Sequence, residues 1–447
     1  MAGSVVVAEQ VETLTPDLCV IGGGAAGLAV AMAASLFGVP VVLIERARLG
    51  GDRSQAVISI LGALSRHPDG PETEPADAGI HDRLQRALLR RDREHSRERL
   101  TALGIRVIDG EACFVSRSTV RVGSYRIKAR RFVIATGSRR RDGERGSPPD
   151  ALADRISLPD HPVILGNGAA AVALAQALQR LGRSVTLALP DPLLPQEDPE
   201  AVSLLRRQLL RDGVTLVEKA ARDGDIGEGA EIIDTRRRAA DIASLDLELA
   251  GIEAGEDGIR VDRAMRTRNR RIFAIGDCVA GAQRDGDDAH RASHQAGIVL
   301  RRSLFRIPAR AQQRAVRVIP SQPAIAATGL SEAQAREQLR EIGVLRWPFA
   351  DLAGAHEAGD GDGFVKLVTD RKGRLVGATV TGARAGELIA LLDLAIAGKL
   401  GMKEVAELVV PHASYAEVVR RAALSFRTPL AHRPSVRRLI GFLRRFG

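Results

Sequence analysis

The sequence predicts an α/β chain in which two strand–glycine turn–helix–strand units precede a C-terminal α+β module. Three observations carry that expectation. A glycine-rich turn follows the apolar run Leu18-Cys19-Val20-Ile21, a second follows Val163-Ile164-Leu165, and after Pro320 the pattern changes to short strands alternating with helices. A length of 447 residues suits several modules, because one hydrophobic core rarely grows beyond roughly 250 residues.

The first unit spans 17–46. Its strand leads into Gly22-Gly23-Gly24-Ala25-Ala26-Gly27, an alanine-rich helix and a second strand, Val41-Val42-Leu43-Ile44-Glu45, followed by Arg46. Gly22, Gly24 and Gly27 give the Rossmann dinucleotide fingerprint in its required setting: one permits the tight turn, one the close approach of a pyrophosphate, one the close packing of helix on strand. Glu45, at the end of the second strand, stands where an adenosine ribose is bound. Residues 66–100 are highly charged, with a helical stretch near Leu84 to Leu103. Ala135-Thr136-Gly137-Ser138 follows the strand Phe132-Val133-Ile134, and 139–160 reads as a connector.

The second unit turns through Gly166-Asn167-Gly168-Ala169-Ala170-Ala171, runs along a helix to Leu181 and returns at Ser184-Val185-Thr186-Leu187. Its third glycine position is Ala171, and its second strand ends in Leu189-Pro190, where an NAD ribose would want a carboxylate and NADP an arginine. NAD(P)H binding at Gly166 and Gly168 stays open on this reading. Ile272 to Ile275 is a buried strand ending in Gly276-Asp277, and an Asp there can bind a polyol hydroxyl. The α+β module contains strands Gly363 to Val368 and Leu375 to Val380 and an amphipathic helix from Gly386 to Ala397. The expected domains are 12–150 with 270–318, 157–268, 319–430, and a tail 431–447.

Composition narrows the function. No run reaches the roughly 20 apolar residues of a membrane span, and Met1 to Leu14, with Glu9 and Glu12, lacks the layout of a signal peptide. Cys19, Cys113 and Cys278 are far apart and in no zinc-like spacing, so a cytoplasmic protein free of metal and disulfides is expected. The net charge of +10 is spread through foldable segments and only 3% of residues are aromatic, which argues against nucleic acid.

From Asp17 to about Arg420 the chain resembles the pyridine nucleotide-disulfide reductases, the group of dihydrolipoamide dehydrogenase, glutathione reductase and mercuric reductase. The resemblance implies FAD bound by Gly22, Gly24, Ala25, Ala26, Gly27, Glu45, Arg46, Gly51, Thr136, Gly137, Gly276 and Asp277. It places Ala289-His290 near the flavin ring. It also implies a homodimer through the C-terminal module, on Ala326-Ala327-Thr328-Gly329-Leu330-Ser331-Glu332 and Gly386-Glu387-Leu388-Ile389.

The departures are informative. The family's Gly-Gly-x-Cys-x4-Cys element corresponds to Gly50-Gly51-Asp52-Arg53-Ser54-Gln55-Ala56-Val57-Ile58, with Arg53 and Ile58 at the cysteine positions. Neither side chain forms a thiolate, so dithiol exchange is not expected there. The family's flavin-side Lys corresponds to Gly62 and a Glu to Ala173. After Val217 the segment Ala220 to Gly229 is shorter than the family's. Pro411-His412-Ala413-Ser414-Tyr415-Ala416-Glu417 resembles the motif in which a His oriented by a Glu from the partner subunit acts on the redox thiol. His412 and Glu417 are candidates either for a proton shuttle or for an inherited interface hydrogen bond.

Residues 434–447 form a basic amphipathic helix candidate. At about 100° per residue, Val436, Leu439, Ile440, Phe442, Leu443 and Phe446 share one arc and Arg437, Arg438, Arg444 and Arg445 the other. Such a helix either lies on an anionic membrane as a peripheral contact or packs on the protein itself. The functional expectation is an FAD oxidoreductase passing electrons to a small-molecule or protein acceptor other than a disulfide. Two rivals stand beside it: a disulfide reductase using thiols of a substrate or partner, and a non-enzymatic FAD-stabilised binding protein.

Overall fold

The computed structural model describes residues 11–66, 77–141, 143, 145–219, 230–236, 238–282, 289–311, 316–428 and 434–446. The expected shortening over 220–229 lies outside the described residues. The chain forms two compact units, one of 1–171, 181–183 and 226–312, the other of 172–180, 184–225 and 313–447.

In the first unit a five-stranded parallel sheet takes the order Ile272–Ala274, Arg131–Ile134, Leu18–Ile21, Val41–Glu45, Ile105–Asp109. Both faces are covered, which is why Leu18–Ile21 is an unbroken apolar run instead of an alternating one. Val20, Leu43, Val133 and Phe273 pack in one cluster with side chains of the helices Ala25–Leu36 and Ala289–Ser303. Cys19, Val42, Phe132 and Ile272 pack on the other face with Phe114, Val120 and Ile127. Those last residues belong to a small sheet ordered Glu12–Leu14, Tyr125–Ile127, Thr119–Val122, Cys113–Ser116. The unit is therefore helix, parallel sheet and small sheet in three layers.

The helical stretch expected near 84–103 is two helices, Asp77–Glu94 and Arg97–Ala102. The break falls at Ser96, whose hydroxyl accepts the Arg99 amide and caps the second helix. Two further pairings belong to this unit: Pro162–Leu165 lies parallel to Glu231–Asp234, and Ser138–Arg139 antiparallel to Ala239–Ala240.

In the second unit a five-stranded antiparallel sheet is ordered Arg317–Ile319, Ile325–Gly329, Leu375–Thr381, Phe364–Asp370, Ile342–Pro348. Leu367 and Val380 of this sheet bury against Leu388 and Leu392 of the helix Ala385–Ala397 and Val418 and Val419 of the helix Glu417–Ser425. The unit also holds the parallel pair Thr186–Leu189 and Thr215–Glu218 and the helix Pro199–Arg211, capped by Asp198. Lys366, nearly buried, reaches that cap: its Nζ lies 2.7 Å from Asp198 Oδ2 and 3.3 Å from Glu200 Oε2.

Candidate functional site

The first glycine turn is shaped by close backbone approaches. Gly22 has φ +104°, and a Cβ there would sit 2.4 Å from the carbonyl oxygen of Ala135; a Cβ on Gly27 would sit 1.8 Å from that of Gly22. Both positions are closed to any side chain. Gly24 differs. It caps the helix Ala25–Leu36 with φ −75° and ψ −174°, ordinary extended backbone, and a Cβ would meet nothing nearer than Gly51 Cα at 4.0 Å. The open space at Gly24 faces the first N–H groups of Ala25 and Ala26, which have no acceptor within the helix and lie at its positive end. That space fits a pyrophosphate.

Glu45 closes the same turn. Its carboxylate accepts the Gly23 amide at 2.5 Å and the Ala47 amide at 2.8 Å. Beside it an open cavity of about 360 Å³ is lined by Arg48, Leu49, Asp92, His95 and Arg97 among others. His95 crosses over Gly50, whose φ of +89° excludes a Cβ that would fall 2.8 Å from His95 Nδ1. Burial, and then the charge of Arg91, hold His95 below the ordinary imidazole value. Arg46 turns elsewhere, paired with Asp241 and, at 3.1 Å, with Glu111.

The strand ends bring the other expected residues to the same edge. Gly137 (φ +74°) and Gly276 (φ +73°) end neighbouring parallel strands. The Gly276 amide donates to Gln295 Oε1 at 2.8 Å, and Ser138 Oγ lies 3.0 Å from Asp277 Oδ2, which fixes that carboxylate. Thr136 Oγ1 is buried with no hydrogen bond of normal geometry; the Cys278 sulfur near it is at best a weak partner. An orphaned hydroxyl beside an open glycine cradle and a fixed carboxylate is the donor set that a dinucleotide with a polyol chain would satisfy, so these residues fit FAD. Ala289 and His290 begin the helix Ala289–Ser303, and His290 is exposed.

A charged cluster stands at the head of the helix Ser54–Arg66, in the segment 50–58. Asp52 pairs with Arg238, and Arg53 pairs with Asp92. Ser54 donates its amide to Asp52 Oδ1 at 2.5 Å, and its hydroxyl lies 3.4 Å from Asp150 Oδ1. Burial would raise Asp52, but Arg238 and Ser54 outweigh it and hold the carboxyl below its ordinary value. Burial, followed by the charge of Asp52, raises Asp150. Ile58 is buried in the helix. The three cysteines are unpaired. Cys19 lies in the central strand with its thiol raised by burial, Cys278 follows Asp277 with its thiol pushed up by burial to about 11, and Cys113 is half-buried in the small sheet.

The second glycine turn is more crowded. Gly166 has φ +145°, and a Cβ would fall 2.4 Å from Thr235 Oγ1, which itself donates to the Leu165 carbonyl at 2.9 Å. Gly168 immediately precedes the helix Ala169–Arg180. Asp234, at the end of the paired strand, is held by Arg236 at 3.0 and 2.9 Å and approached by Arg140 at 3.6 Å.

His412 is exposed and no hydrogen bond joins it to Glu417. The Glu417 carboxylate is taken by Arg421, with Nε at 2.9 Å, so within one chain it does not orient the imidazole. The contacts of Asp52 and Ser138, and any part played by Asp150, Arg238 or Gln295, are not visible in the sequence. Only the Asp–Ser pair at the helix head, a capping signature, carried a local signal.

Residues 16–296 match the profile described as pyridine nucleotide-disulphide oxidoreductase, and 316–423 that family's dimerisation domain, which supports a homodimer. Mercuric reductase from Bacillus cereus is 27% identical, covering 92% of this chain and 71% of that protein. Dihydrolipoyl dehydrogenase from Bacillus subtilis is 28% identical, covering 91% and 95%. Among solved structures, LpdA from Mycobacterium tuberculosis superposes with a TM-score of 0.81 at 23% identity over 92% of this chain and 99% of that one. The HOCl-induced flavoprotein disulfide reductase RclA from Escherichia coli gives a TM-score of 0.78 at 23% identity over 91% and 99%, and these two support the fold. The chain belongs to the pyridine nucleotide-disulphide oxidoreductase family and is an FAD-dependent oxidoreductase.

Proposed function

We propose that this FAD-dependent oxidoreductase passes electrons from NAD(P)H to an acceptor that is not a disulfide, such as a quinone or a redox protein. The observation that carries the reading is the head of the helix Ser54–Arg66, where Asp52 and Arg53 are tied to Arg238 and Asp92 and no sulfur is present. Cys19 and Cys278 do not replace the missing pair, since a thiol raised by burial is protonated at neutral pH and the thiolate is the reactive form, and Cys113 lies apart from them in the small sheet.

FAD, when bound, supplies two-electron transfer between donor and acceptor. The chain's own residues bind and orient it. Gly24 leaves room for the pyrophosphate at the helix amides, Glu45 accepts from the ribose, and Asp277, fixed by Ser138, accepts from the polyol. Gly166 and Gly168 form the reduced nicotinamide site. His412, exposed in the C-terminal module, serves the acceptor side as a proton donor, with its orientation set in the dimer. Residues 434–447 provide a peripheral membrane contact, which suits a lipid-soluble quinone.

Anaerobic titration with NADH and NADPH, followed by flavin absorbance and then by addition of a short-chain quinone or lipoamide, tests this. Flavin reduction by a nicotinamide and reoxidation by the quinone are expected. Lipoamide turnover by the pure protein, or a flavin that no donor bleaches, would overturn it.

A further inference from the structure

We infer that the first unit carries its own lipid-docking patch, formed by Leu36, Phe37, Phe305 and Ile307, and that this patch seats on an anionic bilayer. The proposal rests on the peripheral membrane reading of the tail and extends it to a second, independent point of attachment.

The patch arises where two helices of the first unit end together. Phe37 caps the helix Ala25–Leu36, and Phe305 follows the helix Ala289–Ser303. The rings meet edge to face with centroids 5.0 Å apart. Each helix buries its inner side in the core, through Val30 and Ala34 on one and Ile298 and Val299 on the other. Their ends do not. Leu36 is 77% exposed, Phe37 62%, Phe305 46% and Ile307 49%. Single exposed apolar residues are ordinary on protein surfaces, but four together, two of them in edge-to-face contact, mark a contact surface.

Charge identifies the occupant. The stretches 25–40 and 289–311 contain no Asp or Glu, while Arg301, Arg302, Arg306 and Arg310 flank Phe305 and Ile307 in sequence. Burial, and then the neighbouring guanidiniums of Arg130, Arg271 and Arg306, lower the pKa of Arg131, so Arg306 of the turn adds to a group of arginines in which, among the described residues, Arg130 alone is ion-paired, with Asp17 at 3.0 Å. Aromatic and aliphatic side chains followed closely by arginines, with no carboxylate in either stretch, match the headgroup and acyl boundary of an anionic membrane.

The tail shows the same chemistry in the other unit. The helix Pro434–Leu443 buries no residue; Leu439, Ile440, Phe442 and Leu443 are 51–56% exposed, and Phe446 is 75% exposed. One weak anchor gives only reversible binding, and stable attachment takes two.

The test uses sedimentation of the FAD-loaded full chain with phosphatidylcholine vesicles and with vesicles containing anionic phosphatidylglycerol. Four proteins are compared: wild type, Phe37→Ser/Phe305→Ser, a chain ending at Arg433, and the combination. Flavin content and far-UV circular dichroism report folding. Binding to anionic vesicles alone is expected, with the double serine variant weakened about five- to tenfold per ring, the fold-change for burying roughly half of an aromatic side chain. The shortened chain is expected to retain weak binding that the serine pair abolishes. If the serine variant binds like wild type while the shortened chain does not bind, the patch is overturned and the tail reading stands. If no protein binds either vesicle, both fall. If wild type self-associates and the serine variant does not, the patch is an interface between copies and the lipid assignment is overturned.

Discussion

Replacing Gly24 with valine should separate cofactor binding from folding, because of all the glycines in the first turn this one alone leaves its Cβ direction open. The added Cβ lies 4.0 Å from Gly51 Cα, ordinary contact, and the φ and ψ of position 24 suit any residue. The cost to the helix cap is under about 2 kcal/mol. The isopropyl group instead fills the space in front of the helix amides. Two charge-assisted amide–phosphate hydrogen bonds are worth about 3–6 kcal/mol together, which is about two to four orders of magnitude in FAD affinity. Gly27→Ala is the contrasting variant: its Cβ would fall 1.8 Å from the Gly22 carbonyl oxygen, so the turn itself must break. Flavin-to-protein ratios after purification, FAD titration of the apoprotein and thermal melts distinguish the two. Gly24→Val should be colourless and folded, Gly27→Ala colourless and destabilised. A fully flavinylated Gly24→Val protein, or a Gly27→Ala protein melting like wild type, would refute the geometry.

Three further outcomes are expected. An aromatic disulfide reagent should titrate Cys113 in the native protein and reach Cys19 and Cys278 only after denaturation, and flavin reduction should give no thiolate-to-flavin charge-transfer band. Lys366→Met leaves Asp198 and Glu200 without their buried cation and should lower unfolding stability by about 3 kcal/mol in denaturant titrations. Asp150 has its folded pKa raised, so its contribution favours the native state at low pH and is lost as pH rises through that raised value. Asp150→Asn should therefore melt slightly higher than wild type at pH 7, by under about 1 kcal/mol given its partial solvent exposure, and the difference should vanish below about pH 4.

The α/β class, the parallel sheet and the C-terminal α+β sheet were legible because each rests on a local pattern. Leu18–Ile21 is apolar throughout because both its faces are covered, and Gly22 and Gly27 are glycine because backbone oxygens occupy the space of a side chain. Glu45 was legible for the same reason: its position is fixed by the strand end. The pairs Asp52–Arg238 and Arg46–Asp241 were not, since they join residues from distant segments and leave no periodicity in either one. The break at His95-Ser96 was hidden by the charged helical pattern on both sides, although Ser96 is itself the capping residue. His412 and Glu417 were paired on the resemblance of 411–417 to a family motif, and within one chain Arg421, one helical turn beyond Glu417, takes that carboxylate, a contact that the motif does not signal.

The parallel sheet of the first unit imposes an order on synthesis. Phe132, Val133 and Ile134 take their outer hydrogen-bonding partners from Ile272, Phe273 and Ala274, which are translated only after the whole intervening stretch. At about 5–20 residues per second the ribosome takes roughly ten seconds to deliver that edge. Until then the nascent chain presents an apolar strand with an unsatisfied ladder, the form most prone to pair with another chain. Early-arriving residues must wait for late ones, so the yield of active protein should respond to translation speed and to chaperone occupancy as well as to the stability of the finished fold.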